Sequence, residues 1–189
     1  MDEVTDEALL VAYSNGDPRA ARALTDRLAP RVLAHAARLL GGDLAEAEDV
    51  TQEAMLRLWR IAPDWRQGEA RVTTWLYRVT ANLCTDRLRK RSRHTGLDAV
   101  ADPPDPAPGP VAGLTGAERA GALEAALMVL PRRQREAVVL RHIEGLANPE
   151  IARIMDIGVE AVESLTARGK RGLASLLLPR KEELGLDDE

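Results

Sequence analysis

Between Arg71 and Arg93 the chain sets seven Arg or Lys residues against a single acid, Asp86, and opens the run with Trp75 and Tyr77. Guanidinium and ammonium groups hold phosphates. An indole offers a face to an unstacked base, and a side-chain amide such as that of Asn82 matches a base edge. These residue types suit a nucleic acid better than bond-making chemistry, which needs a nucleophile, a base and an orienting group within mutual reach. No such set is legible, since Cys84 and Asp86 stand about 200° apart on a helix. His35, His94 and His142 are far apart and lack ligand spacing, so they are expected at surface or half-buried positions. No metal, no cofactor and no enzymatic activity is expected. Cys84 is the only cysteine and cannot close an intrachain disulfide. This fits a reducing cytosol, and the residue is read as helix packing rather than a redox switch.

Wound as a helix, the run sorts into faces. Leu76, Val79 and Leu83 stand within about 40° of Val72 and form a stripe to be buried. Arg78, Asn82 and Arg89 lie about 240° to 280° from Val72, with Trp75 at about 300°. One exposed face thus presents an indole edge, an amide and two guanidiniums, although Trp75 also fits the margin of the core. Lys90, Arg91 and Arg93 extend the positive charge at the helix end, where phosphate contacts would position a duplex. Tyr77 falls on the far side, near Ala81 and Leu88, and is expected to pack against a neighbouring helix. Trp59, Trp65, Trp75 and Tyr77 fall within 19 residues, four of the chain's five aromatics. With Arg66 and Arg71 they suit binding to unstacked bases, and the loop holding Trp65 is the natural place for a flipped base.

The elements that must carry these faces are all helical. Of the 189 residues 45% are hydrophobic and 30% charged, as in folded globular chains. No apolar run is long enough to span a membrane, and the acidic start MDEVTDEALL is unlike a signal peptide, so a cytoplasmic protein is expected. The net charge of −4 hides a sorted distribution: residues 43–56 hold five acids and no base, and residues 182–189 are acidic again. Asp17-Pro18 starts a helix that Gly41-Gly42 stops, with Pro30 bending or splitting it. Asp43 opens another to about Ile61, with Val50, Ala54, Leu58 and Ile61 facing inward, and a long helix follows from Arg71 to Ser92. The stretch ADPPDPAPGPVAG, residues 101–113, has five prolines and two glycines and reads as a linker. Beyond it, helices are expected over Ala117–Leu130, from Pro131, from Asn148-Pro149, and, after the break DIG, from Val159. The last two form a helix-turn-helix pattern, which alone leaves DNA reading open because many bundles contain such a turn. Gly169 lies in the stripe Val162, Thr166, Gly169, Leu173. There it costs about 1 kcal/mol of helix propensity and permits close helix approach. The expected organisation is two small helical domains, 1–95 and 117–180, a flexible Pro-rich linker at 96–116 and an acidic tail at 181–189.

Two blocks, DLAEAEDVTQEAMLRLWRIAPDW…TTWLYRVTANLCTDRLRKRSR and LPRRQREAVVLRHIEGLANPEIARIMDIGVEAVESLTARGKRGLASLL, resemble the extracytoplasmic-function (group IV) RNA polymerase sigma factors. The resemblance implies that Asp49, Gln52, Glu53, Leu56, Arg57 and Trp59 bind the β′ clamp helices of core RNA polymerase, with further contacts to the β subunit. It implies that Trp65, Arg66, Arg71, Trp75, Arg78, Asn82, Arg89, Lys90, Arg91 and Arg93 open and read the −10 promoter element as single-stranded DNA. In that reading the loop from Trp65 to Glu69 holds a flipped base. Glu160, Ala161, Glu163, Ser164, Arg168, Lys170 and Arg171, on the recognition helix, would face the −35 duplex. The linker would thread towards the polymerase active-site cleft, and an anti-sigma factor would hold the protein inactive. The chain departs from that family at Asp156, where Gly is usual, and at Gly158, where Ser or Pro is commoner. It departs again at Glu163 and Leu165, where Lys and Arg are favoured. Asp tolerates left-handed geometry. Glu163 cannot hold a phosphate but can accept a hydrogen bond from cytosine N4. Two other readings stay open from the residues: a helix-turn-helix regulator acting on duplex DNA without polymerase, and a helical protein-binding adaptor.

Overall fold

Helix starts in the computed structural model, which describes residues 4–66, 68, 71–95 and 116–180, follow the capping residues of the sequence. The described residues fall into two compact units, the first built on residues 4–95 and the second within residues 116–180. In the first, α1 spans Asp6–Ser14, and the Thr5 hydroxyl accepts from the Ala8 N–H at 3.2 Å. No helix was expected there from the sequence. Helix α2 covers Pro18–Leu39, with Asp17 accepting from the Arg19 N–H and Pro18 in its first turn. It ends at Gly41 and Gly42, both at positive φ (+71° and +88°), a conformation that costs glycine nothing. Pro30 neither splits nor ends α2; its ring is exposed, which leaves the carbonyl it cannot pair open to water.

Helix α3, Leu44–Ile61, starts at Asp43, whose carboxylate accepts from the Glu46 N–H. Its inward stripe is as expected for Val50, Ala54 and Leu58, which are fully buried, whereas Ile61 at the helix end is half-buried. Helix α4 runs from Val72 to Thr95. The partner for its first free N–H comes from far away: Glu7 on α1 accepts from the Val72 N–H at 3.0 Å. Arg27 of α2 reaches the same helix, donating to Asp6 at 2.8 Å and to the Val4 carbonyl. So α1 is fastened to both α2 and α4.

Helix α4 packs on both α2 and α3 and is buried along two stripes. Val72 and Leu76 enter a core with Leu24, Leu28, Ala54 and Leu58, flanked by the partly buried Val79 and Leu83. On its other side Ala81 and Cys84 join Ala36, Leu39, Ala47 and Val50. Tyr77 is buried as expected, edge-on to His35 with ring centroids 4.9 Å apart. His35 itself is fully buried rather than at the surface, and burial holds its imidazole neutral, with a pKa of about 3.

In the second unit α5 is Gly116–Val129 and α6 is Arg132–Val138, started at Pro131 and continued by one wide turn, Val139–Ile143. Helix α7, Asn148–Met155, begins where Asn148-Pro149 required, and Glu150 closes its first turn by accepting from the Ala147 N–H. Asp156 then takes φ +53°, the only left-handed non-glycine among the described residues, and α8 runs from Val159 to Leu177. Leu127, Leu130, Val138 and Val139 form the core, with Leu173 of α8 against them. Gly169 is buried against α6: a Cβ there would lie 2.5 Å from Val138 Cγ2 and 3.1 Å from the Gln134 carbonyl oxygen. The glycine in the stripe is therefore the close approach that its position suggested.

Candidate functional site

Helix α4 carries two adjoining surfaces along its exposed length. The first is a groove of about 410 Å³ shared with α3. From α3 it takes Asp49, Gln52, Glu53, Leu56 and Arg57, and from α4 Leu83, Asp86, Arg87 and Lys90. Leu56 is an exposed apolar side chain in the middle of charged ones, 49% accessible, which suits an anchor for a partner. Glu53 is paired with Arg57 at 2.8 Å, and that hydrogen bond holds its carboxyl below the usual glutamate range. Trp59, one turn further on, does not line the groove; it is half-buried and packs on Tyr13, ring centroids 4.7 Å apart.

Arg87 was not singled out in the sequence, yet it ties the groove together. Its guanidinium donates to Glu46 and, at 3.4 Å, to Asp49, so the acids of α3 are partly answered from within the chain. These bonds hold the Arg87 pKa above its ordinary value, the Glu46 hydrogen bond contributing most. Arg91 adds a pair with Asp43 at 3.7 Å. Lys90 and Arg91 therefore turn towards α3 and do not share the face of Arg78.

The second surface is the exposed stripe of α4. Arg71, Arg78, Asn82, Arg89 and Arg93 are all exposed, and Trp75 borders them half-buried. They recur at three- and four-residue steps, as one helix face requires. Asp86 lies on the same stripe and is its single acid. Trp75 meets Trp65 edge to face, 6.3 Å between centroids and 90° between planes, and both rings pack on the first core. The Trp65 indole N–H is buried without a hydrogen-bond partner among the described residues. Arg66 is exposed beside it, while Gln67, Glu69 and Ala70 lie outside the described residues, and with them much of the loop expected to hold a base.

Comparison with known proteins matches these units to two family models, Sigma-70 region 2 over residues 24–94 and Sigma-70 region 4 over residues 120–173. The ECF RNA polymerase sigma factor SigM of Mycobacterium tuberculosis is 37% identical over 93% of this chain and 86% of its own length. The chain belongs to the extracytoplasmic-function sigma factors. SigW of Bacillus subtilis is 30% identical over 86% of this chain and 91% of its own. Among solved structures, CnrH in complex with the cytosolic domain of CnrY shares 26% identity with a TM-score of 0.62, covering 91% of this chain and 96% of that one. Members of this family direct RNA polymerase to promoters and catalyse no reaction themselves. Among the described residues no helix is long and apolar enough to cross a membrane.

The sigma factor's region-4 unit presents the third surface. Helix α8 buries Val162 and Gly169 and exposes Glu160, Ala161, Glu163, Arg168, Lys170 and Arg171, with Ser164 half-exposed. The first two turns of that face are acidic and the later turns basic. Arg168 folds back to donate to the Ser164 hydroxyl at 2.6 Å and 3.2 Å. The Asn148 amide, at the start of α7, donates to Glu163 at 3.4 Å across the helix-turn-helix.

Proposed function

We propose that this sigma factor binds core RNA polymerase through the α3–α4 groove, captures the melted −10 strand on the exposed stripe of α4, and reads the −35 duplex with α8. The observation that carries the proposal is the double use of α4: a groove of paired acids and cations around an exposed Leu56 anchor, and beside it a basic stripe edged by tryptophan. The groove suits the β′ clamp helices, and the stripe suits phosphates and unstacked bases whose capture offsets the cost of melting, a few kcal/mol per step. Residues 1–95 would serve core binding and the −10 element, and residues 117–180 the −35 element with contacts to the β subunit. The linker at 96–116 would lead towards the polymerase cleft, and the segment 181–189 would remain an acidic tail. The likeness to CnrH, which was solved in complex with the cytosolic domain of CnrY, supports control of this chain by a protein partner, an anti-sigma factor, in the cytoplasm.

The test is promoter-specific transcription with purified core polymerase, combined with core pull-down. Charge reversal at Asp49 and Glu53 should abolish core binding. Arg78→Ala and Asn82→Ala should keep core binding and lose open complexes. Stable, specific duplex binding by the free protein, with no affinity for core, would overturn the proposal in favour of a stand-alone regulator. Normal transcription by the Arg78 and Asn82 variants would remove the −10 assignment.

A further inference from the structure

Helix α8 puts carboxylates where a DNA-facing helix ordinarily puts cations. Glu160 and Glu163 are exposed on its first two turns, and Arg168, Lys170 and Arg171 follow on the same side. Seven residues separate Glu163 from Lys170, about 10 Å along the axis, so the acids and bases occupy different depths along a groove. An acid near DNA repels phosphates. It is tolerated where it faces a hydrogen-bond donor.

Major-groove edges offer that donor selectively. Guanine shows acceptors at N7 and O6, and thymine an acceptor at O4, so both repel a carboxylate. Adenine offers its N6 amine beside the N7 acceptor. Cytosine alone shows a donor, N4, with no acceptor beside it on the same base edge. A carboxylate in the groove is therefore a cytosine reader that rejects guanine and thymine.

Position and orientation decide which acid fills that role. Glu163 is linked across the turn to Asn148, whose Nδ2 donates to Oε1 at 3.4 Å. This bond restricts a side chain that would otherwise sample many rotamers, and it comes from the N-terminus of α7, the other helix of the motif. No such bond joins Glu160 to α7 among the described residues.

We infer that Glu163 is a specificity residue of this sigma factor, accepting a hydrogen bond from cytosine N4 in the −35 duplex, and that Asn148 is its positioning residue. The inference rests on the reading of α8 as the −35 helix. Its consequence is a −35 element with a C·G pair at one fixed position, guanine and thymine on that strand being excluded there.

The experiment is in-vitro transcription by core polymerase with the full chain on a promoter library randomised across the −35 region, read by sequencing the transcripts. The wild type should enrich cytosine at one position by roughly 5- to 150-fold over guanine, the range a good base contact gives. Glu163→Ala should flatten that position alone. Glu163→Gln should move its preference to adenine, which a glutamine amide matches at N6 and N7. Asn148→Ala should weaken the cytosine preference with the other positions unchanged, an effect that general unfolding would not give. If Glu163→Ala and Glu163→Gln raise transcription uniformly and leave every base preference intact, Glu163 is only a repulsive charge and the inference is overturned. If the wild type enriches no base anywhere in the −35 region, the failure is that of the −35 reading itself, and the inference falls with it.

Discussion

Replacing Gly169 with alanine sets two effects of opposite sign against each other. Helix propensity alone favours alanine by about 1 kcal/mol in the interior of α8. The packing opposes it: the new Cβ would sit 2.5 Å from Val138 Cγ2 and 3.1 Å from the Gln134 carbonyl oxygen. Val138 is buried and β-branched, so its methyl cannot swing aside cheaply, and the carbonyl belongs to the backbone of α6. Helix α8 must lift away from α6, and such overpacking costs typically 1–3 kcal/mol or more. The contacts here are tight enough to place the cost near the upper end, leaving a net loss of about 1–2 kcal/mol. Gly172 is the internal control. Its Cβ would meet Leu130 Cδ2 at 2.7 Å, the far end of a flexible side chain, so Gly172→Ala should be close to neutral. For a unit of this size each kcal/mol corresponds to a melting shift of about 4–8 °C. Hydrogen exchange in α6 and α8, read beside thermal unfolding, assigns the change to the second unit. A Gly169→Ala variant more stable than wild type by about 1 kcal/mol would refute the close-packing argument and leave propensity as the whole effect.

Three further outcomes follow from the first unit. His35 has a folded pKa of about 3 against 6.5 when exposed, so its contribution is complete above pH 6.5 and is lost as pH falls below it. Stability should drop by about 2 kcal/mol between pH 6.5 and 5 on this account, and urea titrations of His35→Leu should show that slope removed; an unchanged slope would assign it elsewhere. Glu7→Ala removes the acceptor for the Val72 N–H and should cost about 1 kcal/mol, as cap losses do, with increased amide exchange confined to the start of α4. Arg87→Met should cost less than about 1 kcal/mol because its pairs are partly exposed. Urea unfolding at low and high salt checks this, since a loss that persists undiminished at 1 M salt would contradict an ionic origin.

What the sequence disclosed was local, and what it hid was long-range. Asp17, Pro18, Asp43, Asn148 and Pro149 act through bonds two or three residues away, so they mark helix starts without any knowledge of the fold. The angular sorting of α4 worked for the same reason, placing Val72 and Leu76 inside, Tyr77 on a separate buried side, and Arg78 and Asn82 outside. Helix α1 went unseen, although Thr5 followed by Leu9, Leu10 and Tyr13 carried a start and an apolar stripe; its role at Val72 depends on a bond spanning 65 residues. Arg87 was counted as charge because its partners lie 38 and 41 residues upstream. Lys90 and Arg91 were expected to extend the positive charge at the helix end; on the same wheel they stand about 0° and 100° from Val72, on the α3 side and away from Arg78. His35 is the opposite case, since nothing local distinguishes a buried imidazole from an exposed one, and only the convergence of α2 and α4 closes over it.

Those long-range pairs also resolve how an acidic chain presents a surface for DNA. Repulsion between the polyanion and Glu46 or Asp43 would matter if those carboxylates stood open beside the basic stripe. Each is instead paired with a cation from α4, Glu46 with Arg87 and Asp43 with Arg91. The pairing draws these acids to one side of the helix and leaves Arg71, Arg78, Arg89 and Arg93 on the other, so the field over the stripe is set by its own charges. Asp86 is the exception, an acid lying on the stripe and lining the groove as well. A partner filling the groove with basic side chains would neutralise Asp86 and make the stripe more positive at the moment of docking. Core binding and strand capture would then reinforce each other through one residue. Asp86→Asn should accordingly raise single-strand affinity of the free protein more than that of the holoenzyme, and equal gains in both would show that the groove partner leaves Asp86 untouched.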